Sequence, residues 1–136
     1  MIIQPKPTRY RGVKFRSRLE ARWAVMFDYS PQVTYWTYEP FVIHHQRTGW
    51  RYTPDFEIHT KSSTLLLEIK PVAITPEEDS YLKEMGSEHN LVLCTGSLWK
   101  GRLKFKHYGS TTQIAAICKA SAPAMRVAGN WRFDLK

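Results

Sequence analysis

The first strong pattern along the chain begins at Ser17. Leu19, Trp23, Met26 and Phe27 recur at spacings of four, three and one, which draws one apolar face of a helix. Arg16, Arg18 and Arg22 fall off that stripe. Ser17 with Glu20 three residues on has the spacing of a capping box, and Ser30-Pro31 ends the segment. Three strand-like runs follow. Val33 to Ile43 is β-branched and aromatic, with Pro40 marking a bend; Trp50 to His59 is the second run and Thr64 to Lys70 the third. Arg47-Thr48-Gly49 and Lys61-Ser62-Ser63 read as turns, so short connections predict an antiparallel meander.

Pro71 stops the third strand. Thr75-Pro76-Glu77-Glu78 has the cap, the proline and the acids of a helix start, and Gly86 a stop. Leu91 to Thr95 reads as a buried strand, Leu103 to Tyr108 as another, and Ser110 as the cap of a helix running to about Lys119. The Pro-rich basic residues 1–15 read as an extended arm, 16–120 as one domain and 121–136 as a loose C-terminal tail. The fold class expected is α/β: helix, three-strand meander, helix, strand, with a mixed central sheet flanked by helices.

Composition fits this picture. The 136 residues are 43% hydrophobic and 24% charged, as a folded domain requires. Lys plus Arg outnumber Asp plus Glu, 20 against 12, for a net charge of +8, which suits a polyanionic partner. Cys94 and Cys118 form no CxxC pair and read as buried free thiols, which suits a reducing cytoplasm. No apolar run is long enough for a membrane span, so the chain is expected to be soluble and cytoplasmic.

The candidate chemistry lies in Tyr52-Thr53-Pro54-Asp55-Phe56 and Leu67-Glu68-Ile69-Lys70. Alternation along the third strand points Glu68 and Lys70 to one face and Ile69 to the other, and a hairpin would bring Asp55 beside Glu68. Leu65, Leu66, Leu67 and Ile69 imply a strand buried on both faces. Two carboxylates there would repel and raise a pKa, and a divalent cation would offset the repulsion. Mg²⁺ takes hard oxygen ligands and often binds one or two carboxylates plus substrate phosphate. Lys70 would hold the attacking water. The plain alternative is a surface Glu-x-Lys pair on an exposed strand face.

These residues resemble the PD-(D/E)xK nuclease superfamily, with Asp55 as the acid of "PD" and Glu68 and Lys70 as "ExK". The resemblance implies a restriction-endonuclease-like core and a Mg²⁺-dependent endodeoxyribonuclease, with Mn²⁺ able to substitute. It implies a metal held by Asp55, Glu68 and the main-chain carbonyl of Ile69, Lys70 near the nucleophilic water, and products with 5′-phosphate and 3′-hydroxyl ends. Many members add an acid on the first helix, a position that Glu20 matches. More narrowly, "SRLEARWAVMFDYSPQVTYWTYEPFVI", "GWRYTPDFEI" and "LLLEIKP" resemble the catalytic domain of TnsA-type transposon endonucleases, and related patterns occur in phage head-completion nucleases and resolvases. The resemblance covers residues 9–95 and implies a role at transposon ends or in phage DNA processing, with DNA and a transposase or phage protein as partners; one active site per chain cutting both strands would need a homodimer or two events.

Glu20 has a competing reading as a capping-box acid or a partner of Arg16 or Arg22; beside the PD…ExK hairpin a metal ligand is favoured. Glu39 reads as a rim residue and Glu57 as an exposed strand acid. Arg16, Arg18, Arg22, Arg51, Lys100, Arg102, Lys104 and Lys106 are the candidate DNA contacts, the last four alternating in a basic run. Trp36, Trp50, Tyr52 and Trp99 read as core aromatics with base stacking as the alternative. Two other functions compete: a non-catalytic DNA-binding or assembly subunit on the same fold, and an RNA-binding domain, for which no motif is present.

Overall fold

The computed structural model describes residues 5–98, 102–109 and 114–133. The chain is α/β, with a five-stranded mixed sheet and four helices among the described residues. Strands β3 (Tyr35–Tyr38), β6 (Phe56–His59), β7 (Thr64–Lys70), β8 (Leu91–Thr95) and β9 (Lys104–Tyr108) lie side by side in that order. Antiparallel pairing joins β3, β6 and β7, which is the expected meander. β8 then pairs parallel to β7, because helix α2 (Pro76–Gly86) carries the chain back across the sheet. The short hairpins β1 (Thr8–Tyr10) with β2 (Val13–Phe15) and β4 (Ile43–His44) with β5 (Arg51–Tyr52) stand outside the main sheet.

The sheet is covered on both faces. Leu65, Leu67, Ile69, Val92 and Cys94 face α1 (Arg18–Tyr29), α3 (Ile114–Ala120) and α4 (Ala122–Asn130) in a core built on Trp23, Phe27 and Phe56. Leu66, Leu91 and Leu93 face Leu82 and Met85 of α2. Period-two alternation on β7 therefore fills two cores at once, as its leucine run implies. Both long helices start where their caps predict. The Ser17 hydroxyl accepts from the Glu20 N–H, and Thr75 with Glu78 forms a complete capping box.

Two expectations are corrected. Residues 1–15 contain a packed hairpin rather than an extended arm. Arg11 and Gly12 turn it with positive φ, and Tyr10 and Phe15 are buried. The Tyr10 hydroxyl donates to Asp28 (2.6 Å), the residue that also accepts from the Trp36 indole (2.7 Å). Trp36 is thus tied to α1 and packed against the core, as a structural aromatic. Residues 121–136 are not a loose tail over their described part, because α4 packs Ala124 and Ala128 against the α1 layer. Small side chains leave no apolar stripe in the sequence but let helices approach closely.

Arg22 fastens this last helix. Its guanidinium donates to the carbonyls of Ala128 (2.9 Å), Gly129 (3.1 Å) and Trp131 (3.2 Å), capping the C-terminal end of α4. Hydrogen bonds from a charged donor contribute more than neutral ones. Arg22→Ala is expected to lower stability by about 2 kcal/mol in urea unfolding, through lost hydrogen bonds and lost packing of its stem. An unchanged midpoint would show that α4 does not depend on this cap.

Candidate active site

The predicted acids meet where β6 begins and β7 runs on. Phe56 is the register partner of Leu67, yet the Asp55 N–H also donates to the Leu67 carbonyl (3.0 Å). Two residues opposite one is the arrangement of a β-bulge. Pro54 suits it, since proline is confined to strand starts, edges and bulges. Asp55 therefore sits just before β6 rather than inside it as expected. Its carboxylate takes over from the strand: Oδ2 accepts from the Ile69 N–H at 2.7 Å. N–H and C=O of one strand residue share an edge, so the Ile69 carbonyl also lies on the edge facing Asp55.

Glu68 and Lys70 project to the α2 face of β7, as alternation requires. Glu68 is 8% exposed and accepts from the Tyr52 hydroxyl at 2.5 Å. Lys70 Nζ lies 3.5 Å from Glu68 Oε2 and 3.9 Å from Glu78 Oε2, at the first turn of α2. Glu20, 7% exposed, enters from the start of α1. It serves the cap and the site together: its Oε1 accepts from Ser17 Oγ (3.1 Å) and from the Tyr38 hydroxyl (3.1 Å), and its charge acts on Asp55.

These groups line one cavity of about 380 Å³ that contains Glu20, Asp55, Glu68, Ile69 and Lys70, with Arg16, Glu39, Arg51 and Tyr81 among its other walls. Burial drives the Asp55 carboxyl up to about 9, the Glu68 and Glu20 charges push the same way, and the Ile69 N–H opposes them. Burial raises Glu68 too, against the Tyr52 and Lys70 hydrogen bonds. Burial and the nearby Glu68 charge push the Tyr52 hydroxyl far up, so it remains a donor.

A divalent cation fits the chemistry of this donor set. Hard oxygens converge, and their mutual repulsion in a half-buried pocket is the energy a cation would relieve. Asp55, Glu68 and the Ile69 carbonyl would hold it, with Glu20 adjacent. As they stand, no three His, Cys, Asp or Glu side chains among the described residues form a ready cation-binding group. Tyr52, Tyr38 and the Ile69 N–H each engage one oxygen of these acids, so a cation would be taken on the remaining lone pairs once the carboxylates draw together.

The remaining candidates separate. Arg16 stands at the rim, paired with Glu39 (2.9 Å). Glu39 has φ 48° and its N–H donates to the Asp55 carbonyl (2.8 Å), so it is a rim residue that braces the bulge. Glu57 is held by His59 (3.0 Å) away from the cavity. Arg51 lines the cavity. Arg18 is half-buried on α1, and Arg22 caps α4. On β9, Lys104 is exposed and Lys106 is bound to Asp79 (2.6 Å); Arg102 is exposed just before that strand. Lys100 and Trp99 lie outside the described residues, as does Ser110, the expected cap of α3. Tyr38 and Tyr81 had no signal of their own in the sequence. Tyr52 did, since it stands three residues before Asp55 in an alternating run.

No protein-family model matches this chain, and neither a curated protein nor a solved structure matches it. No described helix is long and apolar enough to cross a membrane.

Asp55→Asn keeps an acceptor for the Ile69 N–H and removes the charge. The unfolded chain releases this proton near pH 4 and the folded one near 9. Stability from the protonated form is therefore full below about pH 4 and is lost as pH rises through 9. In divalent-free buffer the variant is expected to melt about 3–8 °C above wild type at pH 8.5 and level with it near pH 4. Equal melting at pH 8.5 would show that Asp55 carries no such strain.

Proposed function

We propose that this chain is a metal-dependent DNA endonuclease that hydrolyses phosphodiester bonds. The observation that carries the reading is the convergence of Asp55, Glu68, the Ile69 edge and Lys70 on one cavity, with Glu20 beside them and Asp55 driven up to about 9. A structural role explains neither four acids lining one pocket, Glu20, Glu39, Asp55 and Glu68, nor a lysine set between Glu68 and Glu78 beside it. The PD-(D/E)xK pattern, a restriction-endonuclease-like reading of the core and the net charge of +8 point the same way.

A bound Mg²⁺, or Mn²⁺ in its place, supplies positive charge at the scissile phosphate. Asp55, Glu68 and the Ile69 carbonyl would hold that cation. Lys70, tethered by Glu68, orients the attacking water. Water adds to phosphorus in line, the P–O3′ bond breaks, and 5′-phosphate and 3′-hydroxyl ends result. Glu20, fixed by Tyr38, completes the acidic cluster. Arg51 and Arg16 stand at the cavity for the flanking phosphates, with Arg18, Arg102 and Lys104 as outer contacts. The TnsA-like pattern suggests cutting at transposon ends or in phage DNA processing, in the cytoplasm of a bacterial or phage-infected cell, as a homodimer or beside a transposase or phage protein.

A second reading is a non-catalytic DNA-binding or assembly subunit. The completeness with which Tyr38, Tyr52 and Lys70 satisfy Glu20 and Glu68 without a cation favours it. Plasmid and branched DNA incubated with Mg²⁺ or Mn²⁺ separate the two. On the nuclease reading wild type cuts, and Asp55→Ala and Lys70→Ala each lose about 10³-fold or more in rate, in the range for electrostatic and positioning groups. Cleavage equal to wild type by either variant, or none by wild type, would sink that reading.

The pH dependence gives a finer test. The cation needs ionised acids and competes with protons for Asp55 and Glu68, so at a fixed, sub-saturating Mg²⁺ concentration activity is expected to rise with pH. Tyr52→Phe removes the donor that favours the Glu68 carboxylate, which raises that group further. The acid limb of log kcat/KM should then move up by about one pH unit, the worth of one hydrogen bond to a charge. A limb that stays or moves down would remove Tyr52 from the site's electrostatics.

A further inference from the structure

One large aromatic is exposed beside a wall of the cavity, on a loop whose backbone is tied down. Trp50 is 45% exposed at the end of the β4–β5 loop. Its carbonyl accepts from the His45 N–H (2.9 Å), and its own N–H donates to Thr48 Oγ1 (3.2 Å). The His45 ring in turn holds the Thr48 hydroxyl (2.8 Å). The indole leans on Tyr81, with centroids 5.5 Å apart. Tyr81 donates to the Arg51 carbonyl (2.5 Å) and meets Tyr52 edge-on at 5.8 Å. Tyr52 donates to Glu68. A continuous aromatic path thus runs from solvent at Trp50 to the buried acid.

The neighbouring residue supplies charge. Arg51 is exposed, lines the acidic cavity and makes no ion pair among the described residues. Arg16, by contrast, is paired with Glu39, and Lys106 with Asp79. A half-open indole backed by Tyr81, one residue from an arginine without an ion pair among the described residues, offers the two groups that take one nucleotide: a face on which the base stacks and a charge for its phosphate. Bases inside a continuous duplex present no free face to an indole, whereas an unpaired base does.

We infer that Trp50, backed by Tyr81, is a stacking platform for an unpaired nucleobase next to the scissile phosphate, and that the substrate class is DNA with an unpaired or flapped strand at the cut. This rests on the nuclease reading only for where the scissile phosphate lies. Trp50 and Arg51 act as binding and specificity residues, not as catalytic ones.

The test measures binding without cleavage, in Ca²⁺ at fixed salt, to a flapped and a fully paired DNA of equal length. Trp50→Ala is expected to weaken flap binding about 5- to 150-fold, the range for one stacked base, while duplex binding changes less than about twofold. Trp50→Phe should retain most of the flap affinity. Abasic sites placed one by one along the flap probe wild-type protein directly, so the result stands even if Trp50→Ala fails to fold. One abasic position near the junction should reproduce the loss, and it should cost Trp50→Phe less than wild type. Equal losses on flap and duplex, or no abasic position that matters, would overturn the platform. Cleavage of flap and duplex in Mg²⁺ then separates the two readings. Trp50-dependent flap binding without any cutting removes the nuclease and keeps the platform. Cutting with a flap preference that ignores Trp50 does the reverse.

Discussion

The hydrogen bond from the Ile69 N–H to the Asp55 carboxylate continues the sheet past the point where β6 begins. Leu67 is the last residue of β7 that meets β6 backbone; beyond it, a side chain stands in for a strand. That substitution places an acid in the sheet's own plane, at the end of the parallel β7–β8 pair. Glu68 and Lys70 are displayed on the adjacent face because β7 continues regularly, paired to β8 through Lys70 and Thr95. Had β6 extended another two residues, its backbone would have occupied the edge of Ile69 and left no gap for the cavity. The bulge at Asp55, the proline before it and the strained Glu39 that braces it are one device for stopping a strand early.

Acids gathered this way need donors. Three tyrosines surround the cluster, and two of them donate directly: Tyr38 to Glu20 and Tyr52 to Glu68. A phenol suits this role because its ring packs in the apolar layer while its hydroxyl reaches the carboxylate. It also carries no charge, so it satisfies an acid without neutralising it. The acids are held in place, yet their mutual repulsion persists, as the raised Asp55 and Glu68 show. A core of arginine partners would have cancelled that repulsion.

Much of this was legible in the residues, and the failures have physical causes. Helix α1, helix α2, β7 and β8 each carry a long periodic pattern plus a cap or a stop, and each stands where it was expected. The second predicted run broke at Thr53-Pro54-Asp55, because alternation continues through a bulge while pairing does not. The hairpin of β1 and β2 escaped because three-residue strands carry almost no periodicity; Gly12 was its only signal. α4 escaped because alanines make its contact. Arg22 shows the limit of charge reading, since a basic residue off the apolar stripe of a helix looks the same whether it meets phosphate or a helix end. Asp55, Glu68 and Lys70 were readable from spacing; their tyrosine partners were not, because these come from distant segments.

The charge distribution sets the order of events on the nuclease reading. The molecule is strongly basic, yet its candidate site is the place where acids crowd, so the general field attracts DNA while the cavity repels a bare phosphate. Protonation of Asp55 would relax the repulsion but would also leave a weaker ligand set. A cation relieves both problems together, since it offsets the acids and meets the phosphate. On that reading cation and DNA would favour each other's binding, each lowering the cost the other faces at the same carboxylates. The coupling is reciprocal by linkage, so whatever DNA does for cation affinity, the cation must do equally for DNA.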